Sequence, residues 1–230
     1  MRPASLMIFG AGFGTRMRPL TDDRPKPLIE VAGKPLIDHA LALAPDAGIR
    51  QIAVNAHYRA GQLAAYLAGR PGLTVLHETD AILDTGGGLR NALPVLGGDP
   101  VFTLNSDAVW TGPNPLCMLA EAWDPARMDG LLLLIPRGQA TGHSGRGDFL
   151  IDPEGRLKRG PGAVYSGAQI LRTDGLAEIP ERVFSLNRLW DRMLAGGRLH
   201  GILNPGGWCD VGHPDGIAEA EALLAGQGDV

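Results

Sequence analysis

Five short runs, apolar at almost every position, constrain this chain more than any other feature: Ser5–Phe9, Gln51–Val54, Thr74–Leu76, Val101–Leu104 and Leu131–Ile135. A strand with one wet face alternates apolar and polar residues. A strand that is apolar throughout must be covered on both faces, as in a parallel sheet clad with helices. The segments between the runs supply the cladding. Ile37, Ala40, Leu41 and Ala44 recur at helical spacing, as do Leu63, Tyr66 and Leu67. Strand and helix in alternation predict an α/β fold, a three-layer sandwich with a mostly parallel, mixed sheet and right-handed crossovers.

The pattern changes after Pro136. Asp148–Ile151 and Arg156–Lys158, separated by Asp152-Pro153-Glu154-Gly155, predict a hairpin, and Val164–Leu171 and Leu199–Leu203 predict further strands. Ser185 is placed to cap a helix carrying Leu186, Leu189, Trp190, Met193 and Leu194, and Ile217, Ala220 and Leu224 mark a last helix. With no repeat and no low-complexity linker, residues 1–230 are expected to form a single domain with a hairpin-rich second half. Its two halves are expected at about 1–135 and about 136–230.

Composition excludes several functions. A net charge of −4 gives no global attraction to nucleic acid or anionic membranes, so any anion site has to be local. Cys117 and Cys209 are far apart and form no metal-ligand cluster, which fits reduced thiols. The N-terminal run is broken at once by glycines and has neither the length of a membrane span nor a secretory core. The expectation is a cytoplasmic monomer or small homo-oligomer with no nucleic-acid or membrane partner.

The first run leads into Gly10-Ala11-Gly12-Phe13-Gly14-Thr15-Arg16-Met17-Arg18-Pro19. Glycines after a buried strand let backbone N–H groups approach an anion without Cβ interference. Neither familiar phosphate loop fits. A P-loop needs Lys followed by Ser or Thr after its last glycine, and this turn has Thr15-Arg16. A dinucleotide loop needs a third glycine where Thr15 stands, and an acidic residue where the second strand ends in Asn55 and His57. What remains is a phosphate-binding turn with a guanidinium fork at its exit. Beyond it, Arg24-Pro25-Lys26-Pro27 mounts a lysine on backbone stiffened by two prolines.

Two aspartates complete the pattern. Asn105-Ser106-Asp107 follows the run Val101–Leu104, at the rim where α/β sheets bind ligands, and Trp208-Cys209-Asp210-Val211-Gly212 carries the second. With a triphosphate turn, a pair of carboxylates suggests a magnesium clamp, because Mg²⁺ takes one or two carboxylates and fills its remaining positions with water and phosphate oxygens. Asp84-Thr85-Gly86-Gly87-Gly88 opens a predicted helix and offers bare backbone against which a flat base can lie.

The run GAGFGTRMRPLTDDRPKPLIEVAGKPLI resembles the N-terminal signature of the sugar-1-phosphate nucleotidyltransferases, and NSD and WCDVG resemble that family's two metal motifs. The family usually has Leu-Ala-Ala-Gly where this chain has Phe9-Gly10-Ala11-Gly12, and glycine where it has Ser106. The resemblance covers nearly the whole chain. In the second half, the segments His143–Phe149 and Tyr165–Gly167, with the TGGG loop, are most similar to short bacterial N-acetylmuramate α-1-phosphate uridylyltransferases.

The resemblance implies Mg²⁺-dependent transfer of a nucleotidyl group, from UTP by preference, to a sugar 1-phosphate, with release of pyrophosphate. Arg16, Lys26 and Asp107 would be catalytic, and Asp107 and Asp210 would hold the metal. Ala11, Gly12, Gly14, Thr15, Arg16, Asn55, Thr85, Gly86 and Gly87 would bind the nucleotide. Lys26, Asn105, Arg146, Gly147, Asp148, Ser166 and Gly167 would bind the sugar phosphate. The alternatives are another acceptor or guanylyl transfer, and a non-catalytic nucleotide-sugar-binding module, which should lack one of Arg16, Lys26, Asp107 and Asp210.

Overall fold

In the computed structural model, which describes residues 2–226, all five apolar runs are strands of one seven-stranded sheet. The strand order is Leu199–Leu203, Gly130–Ile135, Val164–Leu171, Val101–Asn105, Ser5–Phe9, Gln51–Ala56 and Leu73–His77. Val164–Leu171 runs against both neighbours, and every other pairing in the sheet is parallel.

The absence of alternation in the sequence has a direct structural counterpart. In Ser5–Phe9, Leu6 and Ile8 enter one core while Met7 enters the opposite one. Leu131 and Leu133 likewise face one side, and Leu132 and Leu134 the other. The helices Leu36–Leu41, Ala60–Leu67 and Pro115–Ala122 cover the first face, and Asp84–Leu96 and Asn187–Ala195 the second. These are the three expected layers.

Boundaries moved where local chemistry outweighed periodicity. The first helix stops at Leu41 and not near Ala44, because Pro45 lacks an N–H and restricts the residue before it. Ser185 lies just ahead of the helix Asn187–Ala195, its Oγ accepting from the Asn187 N–H at 3.3 Å. The predicted hairpin pairs Phe149–Ile151 with Leu157–Arg159. Asp152 holds its turn, accepting from the N–H groups of Glu154 at 3.0 Å and Arg156 at 2.8 Å.

One feature was not legible in the sequence. Ala108–Thr111, Gly207–Asp210 and Ala140–Thr141 form a second, three-stranded sheet beside the large one. It is fixed by a third core in which Val109, Cys209 and Val211 meet Met17, Leu36 and Ala220. Burial among these residues pushes the Cys209 thiol up to about 12, so it stays a neutral packing group. No helix among the described residues is long and apolar enough to cross a membrane.

Candidate active site

The large sheet changes direction of growth at Ser5–Phe9: the chain continues to Gln51–Ala56 on one side and to Val101–Asn105 on the other. Phe9 is in register with Asn55 and with Asn105, so three strands end together at such a switch point. Crevices for ligands form there in open α/β sheets. A cavity of about 260 Å³ occupies it, lined by Gly10, Ala11, Gly12, Lys26, Asn55, Asp84, Thr85, Asn105 and Asp107, among others.

The glycine turn is held by side chains around it. The Gly10 N–H donates to Asn55 Oδ1 at 2.9 Å, and Ser106 Oγ donates to the Phe9 carbonyl at 2.7 Å. Gly14 sits at φ 62°, where a Cβ would lie 2.9 Å from Thr21 Cγ2 and 3.0 Å from Lys26 Cβ. Glycine is required there to let the turn close onto the base of the lysine. Thr15 and Arg16 are exposed on the following turn, which Met17 anchors in the third core.

Lys26, on its proline-flanked turn, donates from Nζ to Asp107 Oδ2 at 2.7 Å. The small sheet then delivers Asp210. Its strand pairs with Ala108–Thr111 so that Asp210 lies opposite Ala108, and the Val211 N–H donates to the Asp107 carbonyl at 2.9 Å. Two carboxylates more than a hundred residues apart thus become neighbours. Burial, and then the Asp107 charge, raise the Asp210 pKa above its ordinary value, while Lys26, Arg16 and His143 act in the opposite sense. Arg16 reaches Asp210 across Gly212: a Cβ on that glycine would lie 3.1 Å from Asp210 Oδ2 and 3.4 Å from Arg16 Nη1. Lys26 and Asp107 line the cavity, and Asp210 and Arg16 lie beside them.

Such a pair suits a hard divalent cation. Both donors are carboxylate oxygens, and positive charge nearby offsets the burial and the Asp107 charge that raise the pKa of half-buried Asp210. Among the described residues no third His, Cys, Asp or Glu joins them.

The structure employs several predicted residues differently. Asn55 is buried, and its amide is committed inside the protein, accepting from Gly10 and donating to Glu78 Oε1 at 2.7 Å. Glu78, which the sequence did not single out, also accepts from the Leu83 N–H at 2.8 Å and so ties the glycine turn to the next loop. Gly86 and Gly87 do not offer a bare surface to a base. Their N–H groups donate to the Phe184 carbonyl at 2.9 and 3.0 Å, and Cβ atoms there would collide with Phe184 and with the Arg182 carbonyl. The three glycines are needed for close packing of residues 182–184 and of the Asn55–Glu78 pair. Thr85 does line the cavity, and its Oγ1 accepts from the Leu186 N–H at 3.0 Å.

A second cavity of about 280 Å³ adjoins the first and shares Phe9, Asp84, Thr85 and Asn105 with it. Asp148 lines it, with Oδ2 accepting from the Tyr165 N–H at 2.8 Å. Arg146 is exposed, and neither it nor Gly147 lines either cavity. Gly147, at φ 88°, packs on the Gly162 backbone. Ser166 is buried with Oγ donating to the Leu133 carbonyl at 2.7 Å, away from both cavities, because its strand is covered on both faces. Gly167, at φ 91°, makes room for the Asn105 side chain. Residues that the sequence did not mark as site candidates, Asp84, Arg159, Gln169 and Trp190, form much of the second wall, with Tyr165 from the segment Tyr165–Gly167. Asp84 carried one signal, its place before three glycines, and adopts φ 61° at the start of its helix.

Residues 6–146 match the model of the MobA-like NTP transferase domain. The chain belongs to this family, and within it to the sugar-1-phosphate nucleotidyltransferases. It is 40% identical to the N-acetylmuramate alpha-1-phosphate uridylyltransferase of Caulobacter vibrioides, over 97% of this chain and 98% of that protein. The enzyme of the same name from Neisseria meningitidis serogroup B is 32% identical over 94% of this chain and 96% of its own. A putative glucose-1-phosphate thymidylyltransferase from Bacillus anthracis, solved with sucrose, shares the fold with a TM-score of 0.81 at 17% identity, covering 98% of this chain and 96% of that one.

Proposed function

We propose that this nucleotidyltransferase moves a uridylyl group from UTP to N-acetylmuramate α-1-phosphate and releases pyrophosphate. One observation carries the chemistry: Lys26 on Asp107 at 2.7 Å, with Asp210 brought alongside, at the mouth of a cavity floored by the glycine turn. The choice of base and sugar rests on the similarity to the Caulobacter and Neisseria enzymes across nearly the whole of each chain.

A sugar-phosphate oxygen attacks the α-phosphorus, and the bond to the bridging oxygen breaks, with pyrophosphate leaving with the electron pair. The nucleophile is already ionised at neutral pH, so the site needs no general base, and catalysis comes from positioning and charge neutralisation. Asp107 and Asp210 would hold Mg²⁺, which supplies neutralisation of phosphate charge when bound. Lys26 offsets the repulsion between the incoming phosphate and the α-phosphate. Arg16 steadies the charge on departing pyrophosphate. The N–H groups of the glycine turn orient the triphosphate, and Asn55 and Glu78 keep that turn in place.

The test is pyrophosphate release from a panel of nucleoside triphosphates and sugar 1-phosphates at saturating Mg²⁺. UTP with N-acetylmuramate α-1-phosphate should give the highest kcat/KM. A higher value for GTP with mannose 1-phosphate would replace this substrate pair, and release with no pair would favour a binding module.

A further inference from the structure

The second cavity has one end in common with the first. Beyond the shared residues it is lined by Asp148, Phe149, Arg159, Tyr165, Asn187 and Trp190, among others. Arg159 is the only cation among its lining residues. One edge of the guanidinium is anchored: Nε and Nη2 donate to Asp191 Oδ1 at 3.0 and 2.7 Å, and Nη2 to Asn187 Oδ1 at 2.9 Å. Its plane is further held near Phe149, with the central carbon 5.6 Å from the ring centroid. Nη1 makes no hydrogen bond among the described residues, so its N–H groups are open. An arginine already fixed by its neighbours loses little further freedom when it binds an anion, and its Nη1 can donate a charge-assisted hydrogen bond to a carboxylate oxygen.

The other charged groups narrow where an acid can bind. Asp84 and Asp148 also line this cavity and each accepts a backbone N–H, from Thr85 at 2.6 Å and Tyr165 at 2.8 Å. Their remaining lone pairs suit sugar hydroxyls and repel a carboxylate. Ser185, Leu186 and Asn187, at the start of the helix Asn187–Ala195, add its positive end to the Arg159 side.

We propose that Arg159 is the specificity-determining residue for an acidic sugar phosphate, taking the sugar's carboxylate on its open Nη1. Resting on the transfer proposed above, this assigns to Arg159 the lactyl carboxylate that distinguishes N-acetylmuramate from N-acetylglucosamine. Sugar phosphates without an acid leave that nitrogen to water.

The experiment measures pyrophosphate release with UTP and either N-acetylmuramate α-1-phosphate or N-acetylglucosamine α-1-phosphate, for wild type, Arg159→Met and Arg159→Lys. Met keeps the packing on Phe149, and Lys keeps the charge without the fork. Arg159→Met should lower kcat/KM for the acidic sugar about 10- to 100-fold, mainly through KM, the cost of one charge-assisted hydrogen-bonded contact. The loss with the neutral sugar should be smaller, so that the preference for the acidic sugar narrows about tenfold or more, and Arg159→Lys should fall between. Arg159 is 43% exposed, and unchanged circular dichroism would exclude a folding defect. A wild type that prefers the acid, with Arg159→Met keeping that preference or losing both rates equally, would overturn the Arg159 assignment alone. A wild type active with neither sugar would overturn the transfer itself, and this assignment with it.

Discussion

The two adjoining cavities are built in different ways. Around the first, glycine backbone packs close to what it positions: Gly10 hangs from the Asn55 side chain, Gly14 closes onto Lys26, and Gly142 packs against the Asp210 carbonyl. The functional side chains are short or stiffly mounted, and strands ending at the sheet edge place them. Around the second, long and aromatic side chains make the wall. Trp190 stacks edge-on against Tyr165 and Phe149, at 4.9 and 5.8 Å, and Arg159 extends from the hairpin over Phe149. Charge neutralisation at a reacting phosphorus depends on fixed geometry, and backbone supplies that best. Recognition of one sugar among many needs a wall whose chemistry can differ without moving the strands.

This contrast is breakable, most sharply at Asp107. Asp107→Asn keeps the shape but weakens metal binding and the Lys26 pair, and kcat should fall about 10³-fold, several kcal/mol of lost transition-state stabilisation. Circular dichroism should be unchanged, and near-normal turnover at limiting Mg²⁺ would show that the first cavity is not the reaction centre. Lys26→Gln should follow with about a 10²-fold loss in kcat, the scale of one charged contact made in the transition state. A change confined to KM would assign Lys26 to ground-state binding only.

Packing between the two regions depends on the glycine run. Gly86→Ala places a methyl group against Phe184 and 2.9 Å from its carbonyl, so residues 182–184 must shift. Overpacking of this kind costs about 1–3 kcal/mol, to be read by urea unfolding. An unaltered midpoint would mean that this segment yields freely and that the glycine run serves some other end.

The smallest effect expected is a gain. The Asp210 pKa is raised by burial and by Asp107, so the folded state holds that proton more tightly than the unfolded chain. Its stabilising contribution is present below the unfolded value of 3.8 and is lost as pH rises through the folded one. Asp210→Asn removes that loss, and without divalent cation its Tm at neutral pH should exceed wild type by roughly 1–3 °C, with turnover sacrificed. The advantage should vanish near pH 4. A lower Tm at neutral pH would show that the carboxylate supports the fold through its neighbours.

Local order and chemistry were written in the chain. The continuous apolar runs required a sheet buried on both faces, because no other arrangement hides such strands from water. The order glycine turn, bracketed lysine and rim aspartate marked the first cavity, because each residue lies within a few positions of the strand end or turn that places it. Arg159 could not be found this way. An arginine on a hairpin strand is ordinarily solvated, and only the docking of the helix Asn187–Ala195 beside it makes a cavity wall. The glycines at 86 and 87 are a like case: sequence shows that a side chain is missing, and only packing shows that Phe184 and the Arg182 backbone fill the space.

Tertiary structure alone decided that Asp107 and Asp210 meet. Nothing in either motif encodes the distance between them, since strand pairing across a hundred residues depends on the third core that presses Val109, Cys209 and Val211 together. Sequence therefore determined which groups are available and how each is mounted. Burial of apolar surface, which is indifferent to sequence separation, determined which of them became neighbours.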